Sequence, residues 1–250
     1  MINNLKKYFV FLLLIGIVGC SKHDPVLPGN RVDIFDDTKI RIENIDVPQL
    51  SETAKNIYGD ENCDYRQDST NTIWRENDKI FSGFATDSIV KSNQSPICDN
   101  GFIYTGLTTG EVIKINPVNK KIIWIADVFR ASNMTGGASV VDIIARIGVD
   151  KNFIYAGGLG DAFCKINKTN GNKIWCLNIS VPVDFVMVDD FAFVVGADNY
   201  LYAINTTNAK IHWKTEIKSQ IKPVYENNLI TIGNMRINSK DGKIVNTGWF

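Results

Sequence analysis

Histidine is almost absent from this chain. Its 250 residues hold two, His23 and His212, far apart in sequence, which argues against a histidine-based metal cluster. An excess of charge of either sign is absent too. Lys and Arg total 27 and Asp and Glu total 27, so the formal net charge is zero. A nucleic-acid binder is expected to carry a basic excess, and none is visible. No Gly-x-Ser-x-Gly occurs, and with two histidines there is no basis for a hydrolytic triad. No long amphipathic helical pattern appears after the first twenty residues, and the apolar run from Phe9 to Val18 is too short for a comfortable membrane span.

The amino terminus reads as an address. Lys6 and Lys7 precede the run Phe11-Leu-Leu-Leu-Ile15, which ends in Ile17-Val-Gly-Cys20 with Ser21 next. That arrangement resembles a bacterial lipobox. It implies a signal peptide over residues 1–19, cleavage after Gly19 and diacylglyceryl attachment to the Cys20 sulfur. An ordinary signal peptide or an uncleaved anchor with a chance cysteine is the alternative. Serine, not aspartate, after the cysteine points by bacterial sorting rules to the outer membrane, with several acyl chains giving stable anchoring. Residues 20–50 read as lipidated cysteine and flexible tether, because Pro25, Pro28, Gly29 and the charges around them have little to bury. Ser51 to Tyr58 carries a short helical signal, with Ser51 as N-cap and Gly59 as stop.

Residues 51–250 read as a repeat domain. Gly101-Phe-Ile-Tyr-Thr-Gly106, Asn152-Phe-Ile-Tyr-Ala-Gly157 and Phe191-Ala-Phe-Val-Val-Gly196 align. Each is followed by a second run ending in Asn116, Asn167 or Asn205, and then by a third ending in Trp124, Trp175 or Trp213. Asparagine and tryptophan are eight residues apart in all three copies, while Gly106, Gly157 and Gly196 precede the tryptophans by 18, 18 and 17. A degenerate copy runs from Asn228 through Gly233 and Asn238, with Asn246 where tryptophan would stand. Trp74 marks the end of an earlier, incomplete copy. A further run precedes each copy, at 95–98, 140–144, 183–188 and 222–225. Short β-branched and aromatic runs between Gly/Asn/Asp/Thr turns, four to about 40 residues, make the unit of a propeller blade. The expected fold is all-β, with four to five four-stranded blades in an incomplete ring. The recurring tryptophan is expected to pack on the neighbouring blade and to hydrogen-bond a backbone carbonyl there. The stretch 129–148 reads as an inserted loop.

Of the remaining cysteines Cys63, Cys98, Cys164 and Cys176, the last two flank the turn at 168–171 and lie opposite each other if the hairpin centres near Asn170. A disulfide between them and a pair of free buried thiols are both open. Other candidate chemistry reads as structure. Gly157-Gly-Leu-Gly160 leads from strand to strand with no helix to cradle a phosphate. Asn238-Ser-Lys-Asp-Gly242 lacks the glutamate of a calcium loop and reads as a turn. Asp36-Asp37 and Asp189-Asp190 read as tether and turn.

The pattern Ile-Tyr-x-Gly, then Ile-Asn, a turn and Lys-Ile-x-Trp resembles the pyrroloquinoline-quinone-type (PQQ-like) propeller repeat. Together with the lipobox it resembles the BamB family, the propeller lipoproteins of the outer-membrane β-barrel assembly machinery. Leu27-Pro-Gly-Asn-Arg31 is similar to the tether of some members. The resemblance implies a non-enzymatic scaffold without cofactor or metal, on the periplasmic face of the outer membrane. Its implied partners are BamA-like assembly components and unfolded outer-membrane proteins, met through loops and exposed strand edges. Family members close eight blades, about 320 residues at ~40 per blade. An open array is expected to leave an apolar blade face uncovered, open to a second propeller fragment. A truncated or split gene product, another binding partner, and a quinoprotein-like enzyme are the other readings. The last lacks the adjacent Cys-Cys pair that those enzymes typically carry.

Overall fold

The computed structural model describes residues 40–60, 62–84, 95–129 and 140–247. The signal peptide, Cys20, most of the tether and residues 130–139 of the inserted loop lie outside the described residues. Those described contain no helix and form nineteen strands in five antiparallel sheets, here called blades. Blade 1 has three strands, β1 (Tyr65–Gln67), β2 (Ile73–Arg75) and β3 (Asp78–Phe81). Blade 2 comprises β4 (Ile97–Asp99), β5 (Phe102–Gly106), β6 (Glu111–Asn116) and β7 (Lys121–Asp127). Blade 3 comprises β8 (Gly148–Val149), β9 (Phe153–Gly157), β10 (Phe163–Asn167) and β11 (Lys173–Leu177). Blade 4 comprises β12 (Val186–Val188), β13 (Phe191–Val195), β14 (Tyr200–Asn205) and β15 (Ile211–Glu216). Blade 5 comprises β16 (Val224–Glu226), β17 (Leu229–Ile232), β18 (Met235–Asn238) and β19 (Ile244–Thr247). In every blade the strands lie in sequence order, as a meander with short turns requires.

The central strands are apolar on both faces because each inner blade is flanked by two others. β13 is buried throughout. Alternation sends Phe191, Phe193 and Val195 into the seam with blade 5, and Ala192 and Val194 into the seam with blade 3. Each seam between successive blades has its own core cluster.

One turn recurs after the third strand of blades 2 to 5. In blade 3, Asn167 Oδ1 accepts from the N–H groups of Thr169 and Asn170, and Asn170 Oδ1 accepts from that of Asn172. Asn116/Asn119 and Asn205/Asn208 repeat this pattern, and Asn238/Asp241 keep its outline. The residue four after the asparagine has positive φ in all four: Lys120 (56°), Gly171 (75°), Ala209 (60°) and Gly242 (70°). This is the physical content of the asparagine periodicity: side chains that bond their own backbone hold a left-handed residue in place.

Residues 40–60 form an extended strap. Ile42 bridges Ile211 of β15 in parallel. Val47 and Leu50 enter the core of the seam between blades 4 and 5. The strap then meets the first-strand edges of four blades. Lys55 N–H donates to Met187, Thr53 bridges Glu226, Ile57 accepts from Val149 N–H, and Asp60 N–H donates to Cys98. Within residues 40–50, read from sequence as tether, the backbone therefore pairs with β15 and Val47 and Leu50 are buried, while most of the other side chains stay exposed. The helix expected over Ser51 to Tyr58 does not form. Asp189 takes the Ser51 N–H and hydroxyl at 2.7 and 2.6 Å, and the backbone groups a helix would pair internally pair with strand edges instead.

Three further expectations are corrected. The run 140–144 is not a strand; β8 lies at 148–149, while Ile143 crosses into the seam core and its N–H donates to Leu107. Trp74 does not end a copy but sits on the middle strand β2, opposite Arg66 and Lys79. Gly106 and Gly157 end the second strand opposite the residue four before the turn asparagine, Val112 and Phe163, but Val195 takes that place in blade 4, opposite Leu201, and Gly196 lies one residue beyond. The spacing of 17 instead of 18 has this cause. Gly233 sits in a tight hairpin at φ 56° and is not its counterpart.

Ala209 stands in the left-handed region without the freedom of glycine, a conformation that costs about 1–2 kcal/mol for an L-residue. Ala209→Gly is expected to stabilise the fold by about 0.5–1 kcal/mol after the entropy of glycine is deducted. Gly171→Ala is expected to destabilise it by more than 1 kcal/mol, roughly, because the new methyl would also meet the Trp124 ring at 2.8 Å. Urea denaturation followed by tryptophan fluorescence measures both.

Candidate interaction surface

The seams account for most of the residues that the repeat singles out. Trp124 Nε1–H donates to the Lys168 carbonyl at 3.1 Å, Trp175 to Thr206 at 3.2 Å and Trp213 to Ser239 at 3.1 Å. Each acceptor directly follows the turn asparagine of the next blade. The same residue's N–H donates within its own blade, to Asn152, Asp190 or Asn228, so the carbonyl is held in place from behind. Trp124 also lies against Gly171, and Trp213 against Gly242, each at a distance that leaves no room for a β-carbon.

Two lysines reinforce this. Lys114 Nζ and Lys165 Nζ donate to the same carbonyls, of Lys168 at 3.3 Å and Thr206 at 2.9 Å. They lie over the rings of Phe102 and Phe153 at 4.2 and 3.8 Å. Burial pushes both ammonium groups below the usual lysine range; Lys168 adds to this at Lys114, while Asp150 and Asp190 oppose it at Lys165. Lys168 is itself buried and pairs with Asp99 at 2.9 Å. These cations are engaged in holding blades together.

The glycine run 157–160 allows close crossing of connecting chain. A β-carbon on Gly157 would meet Val181 at 2.6 Å, on Gly158 the Asp142 carbonyl at 2.2 Å, and on Gly160 Phe129 at 2.6 Å. The cysteines form two disulfides. Cys164 and Cys176 face each other on neighbouring strands within the apolar seam toward blade 2. Cys63 is joined to Cys98 of β4, a link for which the sequence offered no signal. His212 packs edge-on against Phe191 with Nδ1 3.3 Å from the Asp46 carbonyl. Among the described residues no three His, Cys, Asp or Glu side chains are grouped to hold a metal.

What remains at the surface is of three kinds. Near the first-strand edges, Tyr58 lies within 4.4 Å of the Arg146 guanidinium and 4.9 Å of Lys222 Nζ, with Asp184 paired to Lys222. Tyr58 and Lys222 help line a cleft of about 200 Å³ with Lys55, Phe185, Met187 and Tyr225. The outward face of blade 5 is the second. Register places Val224, Thr231 and Arg236 in one row there, and Glu226, Leu229 and Asn238 in another. Where blade 4 turns Phe193 and Ala203 toward its neighbour, blade 5 has Thr231 and Arg236, and Asn246 takes the tryptophan's register position. The uncovered apolar face expected for an open array is thus largely polar. The third kind is the fourth-strand edges. β15 is covered by the strap, whereas β7 exposes Ile122, Ile123 and Ile125 along an edge that no described strand pairs.

Repeated four-stranded antiparallel blades joined by tryptophan latches define a PQQ-type β-propeller repeat protein. The chain belongs to the family described as outer membrane protein assembly factor BamB, whose pattern matches residues 52–215. Among solved structures, BamB from Moraxella catarrhalis is similar in fold, at 12% identity and a TM-score of 0.50, covering 72% of this chain and 59% of that one. Sqt1 of Saccharomyces cerevisiae gives a TM-score of 0.50 at 11% identity, over 70% of this chain and 55% of that one. Quinohemoprotein alcohol dehydrogenase from Comamonas testosteroni is a weaker neighbour, at a TM-score of 0.40 and 16% identity, over 49% of this chain and 20% of that one. The chain thus spans about three-fifths of the BamB structure it resembles. No curated protein matches it by sequence.

The buried lysine of blade 3 yields a pH test. Its folded pKa lies below the unfolded value of about 10.4, so the unfolded chain binds the proton more tightly. The Lys165 contribution to stability therefore rises with pH through the alkaline range below the unfolded pKa and falls as pH drops through the folded one. The stability difference between wild type and Lys165→Met, taken by urea melts from pH 7 to 10, is expected to move in favour of wild type as pH rises.

Proposed function

We propose that this chain is a non-enzymatic scaffold anchored by lipid on Cys20 to the periplasmic face of the outer membrane. There it binds BamA-like components of the β-barrel assembly machinery and holds unfolded outer-membrane proteins for insertion. Family membership supports the assembly role. The observation that carries the mechanism is the strap on β15. An extended segment of this chain lies along a fourth-strand edge as an added strand, through Glu43 N–H to Ile211 at 2.9 Å and Ile45 N–H to His212 at 3.1 Å. A blade edge with free backbone groups therefore accepts extended polypeptide, which is the form of an unfolded β-barrel chain. The 129–148 loop is the second candidate contact, as long loops on repeat scaffolds carry binding.

The test uses the full chain expressed with its own signal. Capture from detergent extracts is expected to bring down assembly-machinery subunits and, after site-specific photo-crosslinking along strand edges, unfolded barrel precursors. The amino-terminal peptide is expected to begin at Cys20 with acyl mass. Capture of a different partner with no assembly subunit would overturn the scaffold reading, and would favour a propeller lipoprotein of another pathway. An unacylated amino terminus would overturn the anchor.

A further inference from the structure

Arg146, Asp184 and Lys222 hold the same place in the repeat, each two positions before the first strand of its blade, in blades 3, 4 and 5. Those first strands all meet the strap, and the three residues gather about one strap residue, Tyr58. The Arg146 guanidinium lies 4.4 Å from the centre of the Tyr58 ring, and Lys222 Nζ lies 4.9 Å from it. Asp184 Oδ1 accepts from the Arg146 backbone N–H at 2.7 Å, and Asp184 Oδ2 pairs with Lys222 at 3.3 Å. The Tyr58 hydroxyl donates to the Phe185 carbonyl at 3.2 Å, which orients the ring. Burial holds that hydroxyl above the usual phenol range, so it adds no negative charge to the cluster.

The charges here do not balance. Asp184 spends one oxygen on a backbone N–H and the other on Lys222. The Arg146 guanidinium therefore has no ion pair among the described residues, and its Nε is buried without a hydrogen-bond partner. Stacking on a ring leaves guanidinium N–H groups unsatisfied, and a buried charged donor in that state is costly. Lys55 has no ion pair either. Asp189, which senses its charge, holds the Ser51 N–H and hydroxyl instead. Three cations thus stand about one carboxylate. The cleft of about 200 Å³ that Tyr58, Lys55 and Lys222 line is otherwise mainly apolar, with Ile57, Phe185, Met187 and Pro223 in its wall. Arg146 stands against the Tyr58 ring that forms part of that wall.

We propose that this cleft binds a monocarboxylate with an apolar stem, its carboxylate on Arg146 and Lys222 and its stem against Phe185, Met187 and Pro223. A planar carboxylate matches the fork of a guanidinium. Asp184 stays within the cluster and repels a dianion such as phosphate more than it repels a monoanion. The volume lies below the range of about 300–1,000 Å³ usual for drug-sized ligands, which suits a short acid or the last residue of a peptide. A free acid and a chain terminus present this same chemistry. The site stands apart from the scaffold role, since no assembly partner enters it.

Isothermal titration calorimetry of the full-length chain in nonionic detergent, at low salt and pH 7, tests this. The probes are 3-phenylpropanoate, an acetylated tripeptide ending in leucine with a free carboxylate, and the same tripeptide as its amide. The two acids are expected to bind in about the millimolar range or tighter, and the amide at least about tenfold more weakly. Arg146→Met is expected to weaken both acids at least about tenfold, and Lys222→Met, at a half-exposed side chain, about threefold. Asp184→Asn keeps an acceptor for the Arg146 N–H and removes the competing charge, so it is expected to tighten binding about threefold, which a damaged fold cannot do. A peptide that binds more tightly than the free acid supports the site with a chain terminus as its ligand, and equal affinity supports it with a free acid. Wild type that binds neither acid overturns the inference. So does an amide that binds as well as the acid, an affinity unchanged by Arg146→Met and by Lys222→Met, or inorganic phosphate that binds more tightly than either acid.

Discussion

The array depends on a hydrogen bond made three times, from an indole N–H on the fourth strand of one blade to a backbone carbonyl of the next. That carbonyl belongs to the residue after the turn asparagine, whose own N–H is tied to the first turn of its blade. One residue therefore couples a turn, a blade and a seam. The asparagine side chain and the left-handed residue four positions on keep the carbonyl aimed outward. Around the bond, a ring of more than 150 Å² in typical size closes the apolar cluster, so polar satisfaction and burial reinforce each other. The lysines at Lys114 and Lys165 converge on the same acceptors and complete the desolvated network.

Seams alone do not hold the ends of an array. Here the strap does so, by running from the fourth-strand edge of blade 4 across the last seam to the first-strand edges of blades 2 to 5. Val47 and Leu50 anchor it in the same core that receives Trp213, and the Cys63–Cys98 disulfide fixes its far end to β4. The outward face of blade 5 has lost the aromatic and tryptophan positions that would latch another blade. The buried aromatic and cationic side chains are engaged within the seams, which leaves strand edges and connecting loops as the exposed surface among the described residues.

The errors of sequence reading share one cause. Ser51 to Tyr58 has good helical end signals, but Asp189 captures the cap residue and strand edges capture the backbone. The run at 140–144 is apolar because it crosses a seam core, not because it pairs. Gly196 matches Gly106 and Gly157 in residue type, whereas the register equates Val195 with them. In each case a residue was chosen for a contact distant in sequence, and local pattern reports such contacts only as apolar or small character.

The blade itself was legible: strand runs, asparagine turns and the tryptophan eight residues on follow from hydrogen bonds spanning at most five residues and from two-residue alternation. Those interactions are local, so composition and spacing carry them. Only the tertiary structure decided which carbonyl each indole meets, how the four cysteines pair, and that Val47 and Leu50 belong to a core. The reason is that an extended strap takes its hydrogen bonds from edges distant in sequence, as Glu43 does from Ile211, and so has no period of its own to read.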